Sequence, residues 1–220
     1  MPFSSLYVVV DNRAREGFRS CWGLSMLLEG DTNLLFDAGP SGDDLLHNLS
    51  LFGKEPADID AFFLSHSHAD HAGGFRALQD AGFAGEVILS DSVSLGGQMQ
   101  AGAGSKELQP LGRDLSAIRL TASGLQEQSL LAKTPSGILL LVGCAHPGLE
   151  RIWDAACTQE VPFAVMGGFH GSPPFTSLGK ARLLGPCHCT KMREAFSAEF
   201  PSSFVDVAAG DHLLFDSDAS

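Results

Sequence analysis

The sequence predicts an α/β domain in which strands outnumber helices. Short apolar, β-branched segments recur along all 220 residues, helical segments with capping signals stand between them, and 44% of the residues are hydrophobic. That apolar content is enough for a sizeable core. Strands interspersed with helices are typical of a sheet-rich domain whose helices cover its outer faces. We therefore expect a single domain over residues 1–220.

The first half of the chain is predicted to open with strands, because apolar and β-branched residues stand between turn residues. Ser41 is a candidate N-cap, and Asp43 and Asp44 behind it suit the positive end of a helix dipole. The predicted elements are strands at Leu6–Val10, Leu24–Glu29 and Asn33–Phe36, a helix from Ser41 to Phe52, a strand at Ile59–Leu64, a helix from Asp70 to Gly82 and a strand at Glu86–Leu89.

The second half follows the same alternation. Gly137–Gly143 is the strongest predicted strand because its core is apolar on both faces, and Pro147 suits the first turn of a helix. The predicted elements are strands at Ile118–Thr121, Ser129–Lys133 and Gly137–Gly143, a helix from Pro147 to Thr158, a strand at Phe163–Met166, a helix at Thr190–Phe200, and strands at Phe204–Val207 and His212–Phe215. Residues 92–117 are rich in Gly, Gln and Ser and too long for an ordinary connection, so we expect a flexible lid or insert there.

Charge and cysteine usage restrict the class of protein. Lys and Arg number 14 against 26 Asp and Glu, a net charge of −12 that disfavours nucleic acid as a partner. No apolar run approaches the roughly 18–20 residues that a membrane span needs, and the first residues lack a basic signal-peptide region. The five cysteines are an odd number and thinly spread, which is typical of a reducing, cytoplasmic setting. Nothing in the sequence indicates an oligomeric state.

One short segment carries the pattern of a metal site. Residues 66–71 read His-Ser-His-Ala-Asp-His. His66 and His68 are two apart, so in an extended segment both side chains project to one face, while Asp70 and His71 follow as the chain turns into a helix. Imidazole and carboxylate together suit Zn²⁺, Fe or Mn²⁺ rather than Ca²⁺. We expect one or two divalent transition metal ions per chain, with Zn²⁺ favoured over Fe and Mn.

Three further histidines have a comparable setting. His146 and His170 each follow a predicted strand through a short turn, and His188 stands within Gly185 to Thr190, just ahead of a predicted helix. Polar groups at the ends of buried strands can converge on a cleft, so these three are candidate ligands. His47 lies inside a predicted helix and His212 inside the last predicted strand. Because both lack the strand–turn setting, we interpret them as structural.

These motifs resemble those of the metallo-β-lactamase superfamily over almost the whole chain. The resemblance is carried by Phe36-Asp37-Ala38-Gly39, by the loop His66 to Gly74, and by His146. The chain is similar to a subgroup of 7,8-dihydropterin-6-yl-methyl-4-(β-D-ribofuranosyl)aminobenzene 5'-phosphate synthases and related metal-dependent hydrolases through Val9-Val10-Asp11-Asn12, Trp22-Gly23-Leu24-Ser25, Gly143 to Gly148, Gly167-Gly168-Phe169-His170 and Cys187-His188-Cys189-Thr190. The resemblance implies an αββα sandwich of two mixed sheets packed face to face with helices outside.

The resemblance also implies ligand roles. His66, His68 and His146 would hold one metal, and Asp70, His71 and His188 would hold a second. Most relatives bridge the two ions with an aspartate after the strand that here ends in Gly167-Gly168, and no carboxylate stands there. His170 is the nearest donor, and it could bind the second metal, contact substrate or do neither.

The chemistry expected first is hydrolysis of a small anionic ester or phosphate, because a metal-bound water loses its proton near neutral pH. Asp70 could also accept that proton or orient the nucleophile. Asp37 could hydrogen-bond a ligand imidazole and fix its tautomer. The helix start near Asp70, with Gly73 and Gly74, could offer N–H groups to an anionic substrate. Asn12 and Trp22 could line the mouth of the cleft and bind substrate.

Two alternatives remain open. One is metal-assisted transfer, in which diphosphate leaves a pterin-methyl carbon and an aminobenzene ribofuranosyl phosphate is the acceptor. The other is an iron- or zinc-binding or redox protein that hydrolyses nothing. Cys187 and Cys189 flank His188 and could be soft ligands, but strand alternation would turn them away from it, as it would turn Cys144 away from His146. We therefore expect packing thiols at all three positions.

Overall fold

The computed structural model of the protein describes residues 2–90, 94–95, 98–99, 107–112 and 114–216. Its internal contacts fall into two compact units. The first comprises Phe3–Gly104 and Ala208–Phe215, and the second is chiefly Ser105–Val207. Each unit contains one six-stranded sheet with both parallel and antiparallel neighbours. The predicted α/β class with two mixed sheets is thus confirmed, while a single domain over 1–220 stays a prediction.

Strands and short helices alternate along the chain. The elements up to Gly104 are β1 (Ser5–Val10), β2 (Ser25–Glu29), β3 (Leu34–Phe36), α1 (Gly42–Leu51), a 3₁₀ turn (Pro56–Asp58), β4 (Ala61–Phe63), α2 (Ala69–Ala72), α3 (Phe75–Asp80), β5 (Glu86–Ile88), β6 (Ser94–Leu95) and β7 (Gln98–Met99). The later elements are β8 (Leu108–Pro110), β9 (Leu115–Ala122), β10 (Leu125–Thr134), β11 (Gly137–Val142), α4 (Leu149–Cys157), β12 (Ala164–Gly168), a 3₁₀ turn (Thr176–Lys180), β13 (Leu183–Cys187), α5 (Arg193–Glu199) and β14 (His212–Leu214).

The sheet of the first unit has the strand order β14-β1-β2-β3-β4-β5. The pairs from β14 to β3 are antiparallel, and β3, β4 and β5 run parallel. Apolar residues on the strands, such as Leu35 and Phe62, share one buried cluster with Leu45 of α1 and Phe75 of α3. Ser41 caps α1 as predicted, because its Oγ accepts a hydrogen bond from the Asp44 N–H at 3.3 Å. The parallel strands bring the ends of β3 and β4, and the polar residues that follow, to one edge of the sheet.

The sheet of the second unit has the strand order β13-β12-β11-β10-β9-β8. Its strands are antiparallel from β8 to β11 and parallel from β11 to β13. The core joins Leu140 and Val165 of the sheet to Trp153 of α4 and Phe196 of α5. The carboxyl ends of β11, β12 and β13 therefore meet at one edge of this sheet.

The helix predicted from Asp70 to Gly82 is two helices, α2 and α3, because the chain breaks at Gly73 and Gly74. The break is set by packing: a β-carbon at Gly74 would lie 2.2 Å from the Ala38 carbonyl oxygen. Glycine is thus required where the two segments approach.

Two strand predictions near the end of the chain were wrong. β13 was not predicted, because Gly185 and Pro186 look like strand breakers; the structure accommodates the proline because β13 is an edge strand. The strand predicted at Phe204–Val207 is instead an isolated bridge between Phe204 and Leu184.

The predicted lid over 92–117 falls in part on residues 92–93, 96–97, 100–106 and 113, which lie outside the described part of the chain. Of the remainder, β8 and the start of β9 belong to the second sheet. No helix among the described residues combines the length and apolarity that crossing a membrane requires.

Candidate metal centre

A buried carboxylate organises the histidine loop of the first unit. Asp37 follows β3, has a left-handed backbone (φ 58°) and is fully buried. Its Oδ1 accepts a hydrogen bond from the Ser65 N–H at 2.7 Å, and its Oδ2 accepts from the Ser65 hydroxyl and from His71 Nδ1, both at 2.7 Å. Burial raises the pKa of Asp37 although His71 and Ser65 favour its charged form. The carboxylate therefore ties the end of β3 to both sides of the loop.

These hydrogen bonds fix the tautomers of two histidines. The Ser65 hydroxyl has one proton, which it donates to Asp37, so it accepts the proton of His66 Nδ1 at 2.9 Å. His71 likewise donates its Nδ1 proton to Asp37. In both rings Nε2 then carries the lone pair, the state that a metal-ligating histidine needs. Asp37 thus hydrogen-bonds the ring of one candidate ligand, and its role beside a metal ion stays a prediction.

Potential ligand atoms converge in pairs within this loop. His66 Nε2 and His68 Nδ1 lie 3.1 Å apart, close to the roughly 3.3 Å that separates two nitrogens on one tetrahedral Zn²⁺. His71 Nε2 and Asp70 Oδ2 lie 3.8 Å apart. His66 and His71 are buried, Asp70 is half-buried and His68 is exposed. The loop therefore presents two donor pairs on an accessible face, and this donor set fits transition metal ions.

A second loop holds the backbone of Asp70 in place. The Leu24 N–H donates to the Asp70 carbonyl oxygen at 3.2 Å, and a β-carbon at Gly23 would lie 2.6 Å from the same oxygen. Asn12 Oδ1 accepts from the Gly23 N–H at 3.2 Å, so Asn12 supports this contact. Trp22, next along the loop, is 63% exposed. Binding of substrate by Asn12 and Trp22 stays a prediction.

The expectation that Gly73 and Gly74 offer N–H groups to an anion was wrong. The Gly73 N–H donates to the Ala69 carbonyl at 2.9 Å, and the Gly74 N–H donates to the Gly39 carbonyl at 3.0 Å. Both donors are used in stabilising the break between α2 and α3, so neither is available to a ligand.

The second unit has a buried carboxylate of its own, Glu127 on β10. It accepts hydrogen bonds from the backbone N–H groups of Cys144 (2.9 Å), Ala145 (2.8 Å) and His146 (2.8 Å), and from His146 Nδ1 (2.8 Å). Burial alone would raise the pKa of Glu127, but these hydrogen bonds lower it below its usual value. Glu127 thereby leaves the lone pair of His146 on Nε2, as Asp37 does for His71.

Sequence reasoning missed Glu127. The pattern predicts a strand that begins at Ser129, whereas β10 begins at Leu125 and includes the polar residues 126–129. The available signal is a single carboxylate in a short polar run, two positions before the predicted strand Ser129–Lys133. Because polar residues weaken a strand pattern, periodicity excludes this segment from the strand and does not find its buried carboxylate.

We expect Glu127→Gln to destabilise the second unit and to loosen His146. An amide nitrogen would replace one carboxylate oxygen and would face N–H donors, at a cost of about 1–3 kcal/mol in unfolding free energy. Because the pKa of Glu127 is lowered, the charged carboxylate stabilises the folded chain at neutral pH. The difference in unfolding free energy between wild type and variant should therefore be largest there and should shrink as the pH falls through that pKa. Denaturant unfolding measures it, with the exposed Glu150→Gln on α4 as control; equal midpoints for both variants would contradict the assignment.

The three later histidines each follow a strand of the second sheet, and for His188 that strand was not predicted. His146 follows β11, His170 follows β12 and His188 follows β13. The rings of His146 and His170 lie 5.2 Å apart. His170 and His188 have left-handed backbones, both with φ 47°, as does Ala145 with φ 53°. Backbone strain of this kind at three adjacent strand ends is typical of a functional site.

The left-handed residues invalidate the alternation argument for the cysteines. Side chains alternate only where the chain is extended. Ala145 stands between Cys144 and His146, and His188 stands directly before Cys189, and both Ala145 and His188 have left-handed backbone. Cys144 and Cys189 are both buried, and their Sγ atoms lie 3.3 Å apart. Hydrogen bonds from Cys144, and then from His170, lower the pKa of Cys189 to about 6. All five cysteines are free thiols.

The described residues contain two groups of side chains whose ligand atoms could hold a metal ion. The residues concerned are His66, His71, Cys144, His146 and His188. His47 lies on α1 and His212 stacks on Tyr7 with ring centroids 4.1 Å apart, so neither belongs to these groups.

Comparison with known proteins gives related folds and sequences. The family model of the metallo-beta-lactamase superfamily matches residues 21–97. A 7,8-dihydropterin-6-methyl-4-(beta-D-ribofuranosyl)-aminobenzene-5'-phosphate synthase from Methanocaldococcus jannaschii is 26% identical over 269 aligned positions, covering 90% of this chain and 91% of that protein.

Solved structures share the fold. A metal-dependent hydrolase of the beta-lactamase superfamily superposes with a TM-score of 0.70 at 21% identity, covering 97% of this chain and 99% of that one. A quorum-quenching N-acyl homoserine lactone lactonase gives 0.52 at 19% identity, covering 76% of this chain and 92% of that one. At these identities the likeness extends to the fold alone.

Proposed function

We propose that the chain is a member of the metallo-β-lactamase superfamily, whose family model matches residues 21–97, and that it is a metal-dependent hydrolase of a small anionic ester or phosphate. The observation that carries the proposal is the pair His66 Nε2 and His68 Nδ1, 3.1 Å apart, in a loop whose tautomers Asp37 sets. The net charge of −12 argues against a nucleic-acid substrate. Five free thiols fit a reducing, cytoplasmic setting.

We propose a binuclear metal centre. His66, His68 and His146 would hold one ion, and Asp70, His71 and His188 the other, with Zn²⁺ the favoured metal over Fe and Mn. A divalent ion bound there would lower the pKa of a water ligand toward neutrality and polarise the oxygen of the bond to be cleaved. The support is that each unit keeps a histidine Nε2 lone pair through a buried carboxylate, Asp37 in one and Glu127 in the other.

Asp70 would have two tasks. Its carboxylate is partly exposed, with 24% of the side chain accessible, and its Oδ2 lies 3.8 Å from His71 Nε2. It can therefore both ligate and accept a proton from the attacking water. The hydrogen bond from the Leu24 N–H and the close approach of Gly23 to the Asp70 carbonyl oxygen hold the backbone of Asp70. They thereby fix the direction of its side chain.

A second candidate is metal-assisted transfer, which the similarity to the synthase from M. jannaschii favours. The two reactions differ in the acceptor, because hydrolysis needs only water. We would incubate the purified, metal-loaded protein with a panel of lactones, phosphodiesters and phosphomonoesters, with and without an arylamine acceptor. Turnover in water that chelator abolishes supports hydrolysis. Product formed only with the acceptor supports transfer, and bound metal with no turnover in either arm would refute both.

Metal affinity should fall as the pH drops below about 6, because a protonated imidazole cannot donate to an ion and the ordinary histidine pKa is about 6.5. The sign follows from competition, because protons and metal ions bind the same imidazole nitrogens. Equilibrium dialysis with Zn²⁺ across a pH series measures the effect. An affinity that is flat from about pH 8 to about pH 5 would count against histidine ligation.

A further inference from the structure

The connection between β1 and β2, called here the β1–β2 loop, is long and ordered. It spans residues 11–24, all within the described part of the chain, and its regular structure is limited to an isolated bridge at Ala14. Connections longer than roughly 12–15 residues without secondary structure of their own are uncommon, and the ordered ones usually carry function. A loop of this length that keeps one shape is therefore typical of a binding segment.

Buried polar side chains hold the β1–β2 loop in that shape. Asn48 of α1 is fully buried, and its amide accepts a hydrogen bond from the Arg19 N–H at 2.9 Å and donates to the carbonyl oxygens of Arg19 and Val9 at 2.8 and 2.7 Å. Asp11 is also buried and accepts a hydrogen bond from the Arg13 N–H at 3.2 Å. A loop fixed in this way loses its conformational entropy during folding, so a ligand that binds to it does not have to order it.

The ordered loop presents a large aromatic side chain to solvent. Trp22 is 63% exposed, whereas Trp153, the other tryptophan, is 1% exposed in the core of the second unit. Aromatic rings are usually buried because they contribute so much to cores and interfaces. An indole ring left exposed on a rigid loop offers a large apolar face that a ligand can cover at little cost in side-chain entropy.

Trp22 stands next to a backbone contact with the candidate ligand Asp70. A β-carbon at Gly23, the following residue, would lie 2.6 Å from the Asp70 carbonyl oxygen, and the Leu24 N–H donates to the same oxygen at 3.2 Å. Asn12 Oδ1 accepts from the Gly23 N–H at 3.2 Å and so holds this contact from the other end of the loop. The residue that carries the exposed indole is thus fixed beside the loop 66–71.

We propose that Trp22 stacks on a planar aromatic ring of the substrate, so that the site prefers an aryl ester or aryl phosphate to its alkyl counterpart. This inference rests on the proposed function, in which the metal centre takes the anionic group, and it adds the residue that selects the rest of the molecule. Paired rings prefer offset-stacked or edge-to-face arrangements, and such pairs contribute beyond the apolar area that they bury. A saturated ring of similar size buries that area without this additional contribution.

The test is the binding of three phosphonates to the Zn²⁺-loaded, full-length protein, measured by calorimetry. Phenylphosphonate, cyclohexylphosphonate and methylphosphonate share the anionic group and differ in what could contact Trp22. We expect the wild type to bind phenylphosphonate about 5–10-fold more tightly than cyclohexylphosphonate, Trp22→Ala to lose that preference, and Trp22→Phe to keep most of it. Leu51→Ala at the end of α1 removes another exposed apolar side chain and should change nothing. A wild type without the preference, or a Trp22→Ala variant that keeps it, would overturn the proposal.

A second measurement uses the fluorescence of the unmodified protein. Because Trp22 is exposed and Trp153 is buried, Trp22 should supply the long-wavelength part of the emission. Phenylphosphonate should shift that part to shorter wavelengths by excluding water from the indole, and methylphosphonate should not. In Trp22→Phe the shift should disappear although binding persists. The same shift in Trp22→Phe would place the ring elsewhere and refute the assignment.

Turnover separates this inference from the proposed function. A phenyl preference that depends on Trp22, in a protein that hydrolyses no ester or phosphate, would support the stacking role and refute the hydrolase. Hydrolysis of aryl and alkyl esters with equal KM, unchanged in Trp22→Ala, would support the hydrolase and refute the stacking role.

Discussion

Replacing His68 with alanine should remove most of the bound transition metal and lower any metal-dependent turnover by more than about 100-fold. Loss of a residue that only orients a ligand costs about 10–100-fold in metal affinity, and loss of the ligand itself should exceed that. The effect on stability should be small, because His68 is exposed. Metal content by mass spectrometry, per folded protein, is the direct measurement.

His47→Ala is the matched control for this variant. His47 lies on α1, outside both groups of candidate ligands, and alanine is compatible with a helix. The control should keep its metal and its turnover. If His68→Ala also retained all of its metal, the assignment of the 66–71 loop as a ligand segment would be wrong.

Asp37→Asn should combine a loss of stability with a loss of metal. Three donor groups point at this carboxylate, the Ser65 N–H, the Ser65 hydroxyl and His71 Nδ1. An asparagine offers one oxygen acceptor and adds an NH₂ group, so one donor would face another in a fully buried position. We expect this to lower the free energy of unfolding by about 1–3 kcal/mol. Because the Ser65 backbone N–H can only donate, the asparagine oxygen should take the Oδ1 position, and its NH₂ group then faces His71 Nδ1. His71 can accept that hydrogen bond only by moving its proton to Nε2, and that tautomer cannot ligate through Nε2. Metal affinity should fall about 10–100-fold.

Competition with a chromophoric chelator gives the affinity, and denaturant unfolding gives the stability. Asp43→Asn in the first turn of α1 is the control, because Asp43 is not buried and lies outside the network. A variant that is destabilised but binds metal as tightly as the wild type would show that Asp37 is structural and does not set the tautomer of His71.

More of the first unit than of the second could be predicted from the sequence, because the signals in the first unit come from residues that are adjacent along the chain. β1 to β5 are short apolar runs between turn residues, and Ser41 with Asp43 and Asp44 marks a helix start that the structure confirms. The His66–His71 loop and Asp37 could be found because their chemistry is contiguous or follows a clear strand.

The features that escaped prediction depend on tertiary structure. Glu127 is recognisable only once β10 places it beneath the backbone of residues 144–146. β13 contains Gly185 and Pro186, which an edge position tolerates. The pairing of Cys144 with Cys189 depends on left-handed backbone at Ala145 and His188, which no periodicity of two can express.

The two buried carboxylates, one per unit, have a consequence for how the protein acquires its ion. Asp37 and Glu127 orient imidazole rings through bonds that exist in the folded chain, so the loss of rotamer entropy at those ligands occurs during folding, before any metal arrives. The apoprotein should therefore fold cooperatively without metal, unlike a zinc finger, and it should exchange one transition metal for another without unfolding.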